Sequence, residues 1–486
     1  LLAAGVIASV GMAVPSTVPG ETEAFVASQY FPLASGDQWT YTSGTTSTVL
    51  EGSFEVRGVV TKAVQSTFPA VIAYYSNDAE GLRLHRQQGT EYIPGVGNVT
   101  IVATFVPPVQ LAAAEASVGD TVSSGGQVEY DAGAAGSFTL SYTANSTILA
   151  PQTVNVPAGE YRAFPLSATV RMFGSVQGTS VDESEIDTLH VAKLIGIVKQ
   201  RAVLSGTLGA QTIEGELTST NVLPPLYAAV LPSSRSVQVG TPATAFATII
   251  NPSGARATGC DMAPITDLPA AFEFVTTDKE TNLPNGTTNA AVDIAPLDWQ
   301  SFVYALTPAG EIAPTDVAFR FSCLNTRTAE TITGLNTLLL SASPNAIPDI
   351  VALAGTPTND GIVVVPRSGE AAVFAVASIN LGATAWMTVS ADTGSVTLPI
   401  TINLCETDPQ TSVCVNPGQP TTGPVPTTIE SGETPTFAFF VTATESVSFY
   451  PEGHRIFVSF EDAAGVTRGS TSVAVMTTHE PPVGRP

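Results

Sequence analysis

Asp182, Glu183, Glu185, Asp187 and His190 put four carboxylates and an imidazole into one short stretch of chain. Two chemistries suit those side chains: calcium ligation by carboxylate oxygens, or acid–base work with the imidazole. A calcium loop needs its oxygens at fixed spacing around a glycine turn, and this run lacks that order. It therefore reads as a solvated acidic loop. The remaining histidines, His85, His454 and His479, have neither a second histidine nor a carboxylate at metal-motif spacing. The sequence has no HExxH, no GxSxG nucleophile elbow and no GxxxxGKS phosphate cradle. No catalytic, cofactor-binding or metal-ligating residue is assigned, and a non-enzyme without cofactor is expected. A polysaccharide hydrolase stays as a third reading, because paired carboxylates leave no local pattern.

The cysteines Cys260, Cys323, Cys405 and Cys414 include no C-x₂-C pair and have no histidine nearby, which argues against zinc. Disulfides are the expectation. Cys405–Cys414 would close a short loop, worth roughly 2.7 kcal/mol in the chain-entropy model, and Cys260–Cys323 a long one, worth roughly 4.3 kcal/mol. Such bridges imply an oxidising place: the cell surface, the medium or the periplasm. Asn98-Val-Thr, Asn145-Ser-Thr and Asn285-Gly-Thr match the N-glycosylation acceptor pattern, which also arises by chance in a Thr-rich chain.

The elements that must carry these residues are strands. A length of 486 residues exceeds one hydrophobic core and suggests about three domains. Apolar residues reach 44% while charged ones are only 12%, and Gly, Pro, Ser and Thr punctuate the chain at short intervals, so the fold class is all-β. Eighteen basic against 42 acidic residues give a net charge of −24, and Lys62, Lys193, Lys199 and Lys279 are the only lysines. A nucleic acid partner is excluded, since phosphate binding needs clustered cations.

Residues 1–27 begin with LLAAGVIASVGMAVPSTVPG, which has no charged side chain. Three readings stay open: the tail of a secretory signal, a membrane anchor, or an apolar arm that pairs with a neighbour's open sheet edge through Leu1, Leu2, Val6, Ile7, Val10, Met12 and Val14. Membrane contact is expected only in the anchor reading. From 28 to 223 lies a first β domain. It holds Tyr30-Phe31-Pro32-Leu33 ahead of Trp39-Thr40-Tyr41, then Val156-Pro157-Ala158-Gly159-Glu160-Tyr161, then Gly196-Ile197-Val198-Lys199. These pieces, in this order, resemble a widespread group of bacterial extracytoplasmic domains that read YFPLxxGxxWxY, VPAGxY and GxGxVK. The resemblance implies a curved antiparallel sheet with a concave apolar face. It carries no chemistry to particular residues. Trp39 and Tyr41 read as core aromatics.

The C-terminal half looks like one β unit written twice, over 224–343 and 344–478, with a tail at 479–486. Leu268, Ala270, Phe272 and Phe274 answer Leu398, Ile400, Ile402 and Leu404, and Thr277-Asp278 answers Thr407-Asp408. Phe246–Asn251 is set against Phe374–Ile379, Ser301–Leu306 against Thr436–Val441, and Val317–Phe321 against Arg455–Phe460. About seven short strands in each copy suit an Ig-like sandwich, and the copies resemble the Ig-like modules of bacterial surface proteins. The expected function is a structural subunit of an extracellular filament or coat, with itself as partner, joined by strand addition through the arm. The alternative is an extracytoplasmic binding protein for a lipid or other apolar ligand.

Overall fold

The structure, a computed structural model, describes residues 23–93, 97–207, 209–366 and 369–478. The arm residues Leu1 to Val14 and the tail with His479 lie outside them. Strands take 64% and helices 1%, so the protein is all-β.

The first unit is a closed barrel of twelve antiparallel strands. In chain order they are β1 Gln38–Tyr41, β2 Thr46–Val49, β3 Val59–Thr67, β4 Ala70–Asp78, β5 Gly81–Ile93 and β6 Gly97–Ala112. They continue with β7 Thr121–Asp131, β8 Ser137–Ile148, β9 Gly159–Val176, β10 Thr179–Ala192, β11 Gly196–Gly206 and β12 Gly209–Thr220. Each strand pairs with its neighbours in the chain, and β12 pairs with β1 through Thr220↔Trp39 and Leu217↔Tyr41. The expected curved sheet thus closes on itself. Closure removes both open edges, which otherwise invite pairing with other chains.

The sequence alternates to suit this wall. On β9, Phe164, Leu166, Ala168 and Val170 face inward, while Ser167, Thr169 and Arg171 face out. Outside, cross-strand ion pairs join Arg171 to Asp182, Lys199 to Glu216 and Arg201 to Glu214, each at 2.7–2.8 Å. A hydroxyl- and charge-bearing exterior around an apolar-to-mixed interior is the inverse of a lipid-facing barrel.

The three short motifs meet at the seam. Trp39 Nε1 donates to the Ile195 carbonyl at 2.7 Å, and the Tyr41 hydroxyl donates to the Ile197 carbonyl at 3.0 Å. The Ala158 amide donates to Leu217 O at 2.9 Å, and Trp39, Tyr41, Val156, Tyr161 and Ile195 share one buried cluster. Gly196 has φ +100°, and a Cβ there would stand 3.2 Å from the Trp39 indole. Only glycine suits both demands.

One end of the barrel is stoppered. Phe25, Ala27 and Tyr30 are fully buried against Leu82, Ala112, Ile148, Phe164, Leu166 and Val191. The Phe25 and Tyr30 rings stack at 4.8 Å, and Phe164 meets Tyr30 edge-on at 5.3 Å. The segment Phe25–Val26 pairs with Glu115–Ala116 in the β6–β7 connection, which fixes the stopper to the wall. The opposite rim carries the hairpins β1–β2, β3–β4, β5–β6, β7–β8, β9–β10 and β11–β12.

Two further units follow, each a pair of sheets sharing one apolar core. Their sheet orders correspond except for one added edge strand in the second unit, Cys414–Thr421, and each includes a parallel pair: Ser234–Gln238 with Thr337–Ser343, and Ile362–Val365 with Thr467–Thr477. The likeness reaches single hydrogen bonds. Thr277 Oγ1 meets Ser301 Oγ at 2.6 Å, and Thr407 Oγ1 meets Thr436 Oγ1 at 2.8 Å. Asp278 accepts the Thr281 amide at 2.9 Å, as Asp408 accepts that of Thr411 at 2.8 Å. These amides hold both carboxyls below the usual range.

One alignment made from sequence is off by a residue. Buried Asn251 donates to the carbonyls of Ala255 and Ala295, and buried Asn380 to those of Ala383 and Ile429, so the two asparagines are equivalent. That sets Phe374 against buried Ala245, not against half-buried Phe246. In a strand a one-residue slip turns every side chain to the other face.

The disulfide Cys405–Cys414 joins neighbouring strands of one sheet, and Cys260–Cys323 joins a strand to the residue just past the end of its neighbour Ile312–Ser322, with Cα–Cα distances of 5.6 and 4.0 Å. Two such bridges fit an extracytoplasmic location. Among the described residues no helix is long and apolar enough to cross a membrane.

Truncating the stopper's ring contact by Phe164→Ala should cost about 3–5 kcal/mol in a urea titration. Phe68→Ala, on the rim and 61% exposed, should stay within about 0.5 kcal/mol of the parent.

Candidate functional site

The acidic run from Asp182 to His190 is not a loop. It lies within β10, and the pleat divides it between the two faces of the wall. Asp182, Thr188 and His190 face outward, where Asp182 pairs with Arg171 and His190 Nε2 accepts from Gln152 Nε2 at 2.8 Å. Glu183, Glu185 and Asp187 face inward, in line with Leu189 and Val191 of the core. The run therefore forms no single site. The inward carboxylates belong to the barrel lumen.

Register places the lumen side chains in layers. Ser146 on β8, Ala168 on β9, Asp187 on β10, Ala202 on β11 and Ile213 on β12 form one layer. Ala144, Val170, Glu185 and Leu204 form the next, toward the hairpin rim. Ile148, Leu166, Leu189 and Gln200 lie on the stopper side. Tyr75 of β4 and Tyr130 of β7 also line the lumen, packed, as Val170 and Met172 are, against the cluster of Leu84, Phe105, Val128 and Tyr142. The Tyr130 hydroxyl donates to Met172 Sδ at 3.1 Å.

Tyr75, Glu185, Asp187, Gln200, Ala202 and Leu204 are all only half-buried although they point inward. Water reaches them inside the wall. A ring of twelve strands is wider than the eight that side chains alone can fill. The concave face is thus not a uniformly apolar one, contrary to what the resemblance implies.

The electrostatics follow from this enclosure. Burial, and then the like charge of Glu185, push the Asp187 carboxyl up to about 7. Burial also raises Glu185. The Tyr75 hydroxyl is raised well above its ordinary value by burial and then by the two carboxylates. Lys62, in register with Tyr75, is the nearest lysine on that wall, and its ammonium donates to the Gly52 carbonyl at 2.8 Å. Near neutrality the Glu185–Asp187 pair therefore retains a proton for part of the time. The two carboxyls stand side by side on the inward face of one strand.

Ser146 adds a second irregularity. It is 3% exposed, and its Oγ has no hydrogen-bond partner. Buried hydroxyls are rarely left so.

The other singled-out residues are dispersed. His85 is buried, with Nε2 2.8 Å from Ser76 Oγ, and burial lowers its pKa. His454 Nδ1 lies 2.9 Å from the Ser448 carbonyl. Among the described residues, no three His, Cys, Asp or Glu side chains are grouped to hold a metal. Asn98 and Asn285 are exposed; Asn145 is exposed on β8, where its Oδ1 accepts from Ser123 Oγ at 2.7 Å. Trp39 and Tyr41 are 6% and 3% exposed, core aromatics of the seam. Sequence reasoning missed Tyr75, Tyr130 and Ser146, since nothing local marks which face of a strand becomes a lumen.

No family model matches the chain, and no curated protein matches it. Among solved structures, domains 4–9 of the surface layer protein SbsC align over 67% of this chain at 11% identity and a TM-score of 0.21. The aligned part spans 46% of that structure. An overlap of this quality carries no argument about fold or role.

An uncompensated carboxylate in the lumen makes a prediction about pH. The folded-state pKa of Asp187 is raised to about 7, so its unfolded form loses the proton first. Its contribution is therefore favourable at low pH and is lost as pH climbs from about 4 to about 7. Asp187→Asn should match the parent at pH 4 and exceed it at pH 8 by on the order of 2 kcal/mol, allowing for solvent screening. Thermal melts at the two pH values check this.

Proposed function

We propose that this chain is a non-catalytic structural protein of the cell exterior, in which two Ig-like modules hold the barrel at a fixed distance and angle. The observation that carries this reading is the build of its two junctions. Between the two-sheet units, Arg235 and Asp349 form a buried ion pair with Nη2–Oδ2 at 2.9 Å, their side chains 9% and 6% exposed. Asp349 also accepts the Ser236 amide at 2.8 Å, and Ser470 is bonded to both Ser233 and Ser234. Between barrel and first unit, Gly254 exchanges backbone hydrogen bonds with Arg162 and Lys193 at 2.7 and 2.8 Å, and Arg256 pairs with Glu160. A Cβ on Gly254 would stand 2.7 Å from Arg162 O, so a residue with a side chain would force the units apart.

Polar contacts buried at a junction fix orientation, because every other angle leaves a charge unpaired. That is the property of a spacer. Self-assembly into a filament or coat, with the apolar arm adding a strand to the next subunit, extends the same reading. A lipid-binding role fits less well, since the lumen carries Glu185 and Asp187.

Two measurements test the proposal. Small-angle scattering of the full chain should fit one fixed arrangement, and Arg235→Met, which strands Asp349, should broaden it and cost about 3–5 kcal/mol of stability. A parent profile that needs many arrangements would sink the spacer reading. Removing residues 1–20 should leave dispersed monomers where the full chain assembles, as seen by negative-stain microscopy; unchanged assemblies would refute the arm.

A further inference from the structure

We infer that the barrel lumen is a binding site for a primary organic ammonium: a charged nitrogen on a small apolar body, held over Ala168 between Glu185 and Asp187 of β10 and Ser146 of β8. Two independent observations meet there. The first is the adjacent inward carboxylates of Glu185 and Asp187. The second is Ser146, nine-tenths buried and more, sharing the inward face of β8 with Ala144 and Ile148, its hydroxyl unpartnered.

Ser146 and Asp187 occupy one layer, two strands apart, with only Ala168 between them. At about 4.8 Å per strand their Cα atoms are about 10 Å apart. That gap suits one hydrogen-bonding group placed between the side chains, but not a direct contact. An –NH₃⁺ group offers three donors, which matches two carboxylates and one hydroxyl oxygen. Tyr75 stands near both carboxylates and Tyr130 near Glu185, and Val170, Leu204 and Met172 share the inward face beside them.

A divalent metal suits the site less well. It prefers several oxygen ligands at short, similar distances, and among the described residues no three carboxylates or histidines are grouped to supply them; the third inward carboxylate, Glu183, accepts from Thr207 Oγ1 nearer the hairpin rim. A neutral lipid would leave two carboxyls without a partner. The net charge of −24 also draws cations toward the protein.

Binding should titrate. The ionisable groups beside Asp187 are Glu185 and Glu183 on its own strand and Tyr75 on β4, with Tyr130 of β7 beside Glu185, while the Lys62 ammonium on β3 is turned to the Gly52 carbonyl; β8, β9 and β11 contribute Ser146, Ala168, Val170, Ala202 and Leu204, none of which titrates near neutrality. A bound ammonium favours the ionised pair, so affinity should rise as pH passes upward through about 7, with release of a proton.

The test uses the full chain and isothermal titration calorimetry with hexylammonium chloride, hexanol and calcium chloride at pH 6 and pH 8. The expected result is one hexylammonium site, at least tenfold tighter at pH 8 than at pH 6, with hexanol at least tenfold weaker. Glu185→Gln with Asp187→Asn should lower hexylammonium affinity at least tenfold and Ser146→Ala by a few fold. Glu280→Gln with Glu445→Gln, exposed and outside the barrel, should not change it. Native melts confirm folding of each variant. Equal affinity for hexanol, calcium binding in place of hexylammonium, or no binding at all would each overturn the inference. Any of these would leave the spacer reading standing, because that rests on the Arg235–Asp349 junction.

Discussion

The pairing of β1 with β12 is the constraint on which the rest of the first unit depends. It joins Trp39 to Thr220, near opposite ends of the unit's sequence, and is held by the hydrogen bonds from Trp39 and Tyr41 to the 195–197 turn. Without it the twelve strands would be a sheet with two bare edges. With it, one face of every strand becomes a wall of an enclosed space. The character of Asp187 follows directly: the same carboxylate on an open sheet would sit in water near its ordinary pKa. Closure converts a strand of modest polarity into a lumen with an unneutralised pair.

The stopper sets where along the barrel that lumen begins. Phe25, Tyr30 and Phe164 fill the end nearest the two-sheet units, so the wet region lies between them and the hairpin rim. The layer of Asp187 and Ser146 falls just beyond the packed rings. A polar layer immediately above a dry one is how a pocket fixes orientation: the charged end of a ligand has a defined depth and its apolar part a defined direction.

Much of this was legible from the residues. Alternation gave the strands, the three short motifs gave the aromatic core around Trp39 and Tyr41, and Thr277-Asp278 with Thr407-Asp408 gave a duplication that holds at the level of single hydrogen bonds. What was not legible has a common cause. Barrel closure is a pairing between distant strands and leaves no trace in either one. The acidic run read as a loop because Glu183, Glu185 and Asp187 occupy positions where an inward face is normally apolar, so charge hid the period-2 pattern of β10. The slip at Phe246 arose from matching a large ring with a large ring, when the buried Asn251 and Asn380 were the true equivalents.

The parallel strand pair in each two-sheet unit has a mechanical meaning. Ser234–Gln238 lies near the start of its unit and Thr337–Ser343 at its end, running side by side in the same direction. Tension applied between the unit's two ends therefore pulls these strands past one another. Their cross-strand bonds are loaded together in shear and do not unzip one at a time. Ile362–Val365 and Thr467–Thr477 repeat the arrangement, which makes the tandem a series of two clasps, each resisting extension along the axis of the molecule.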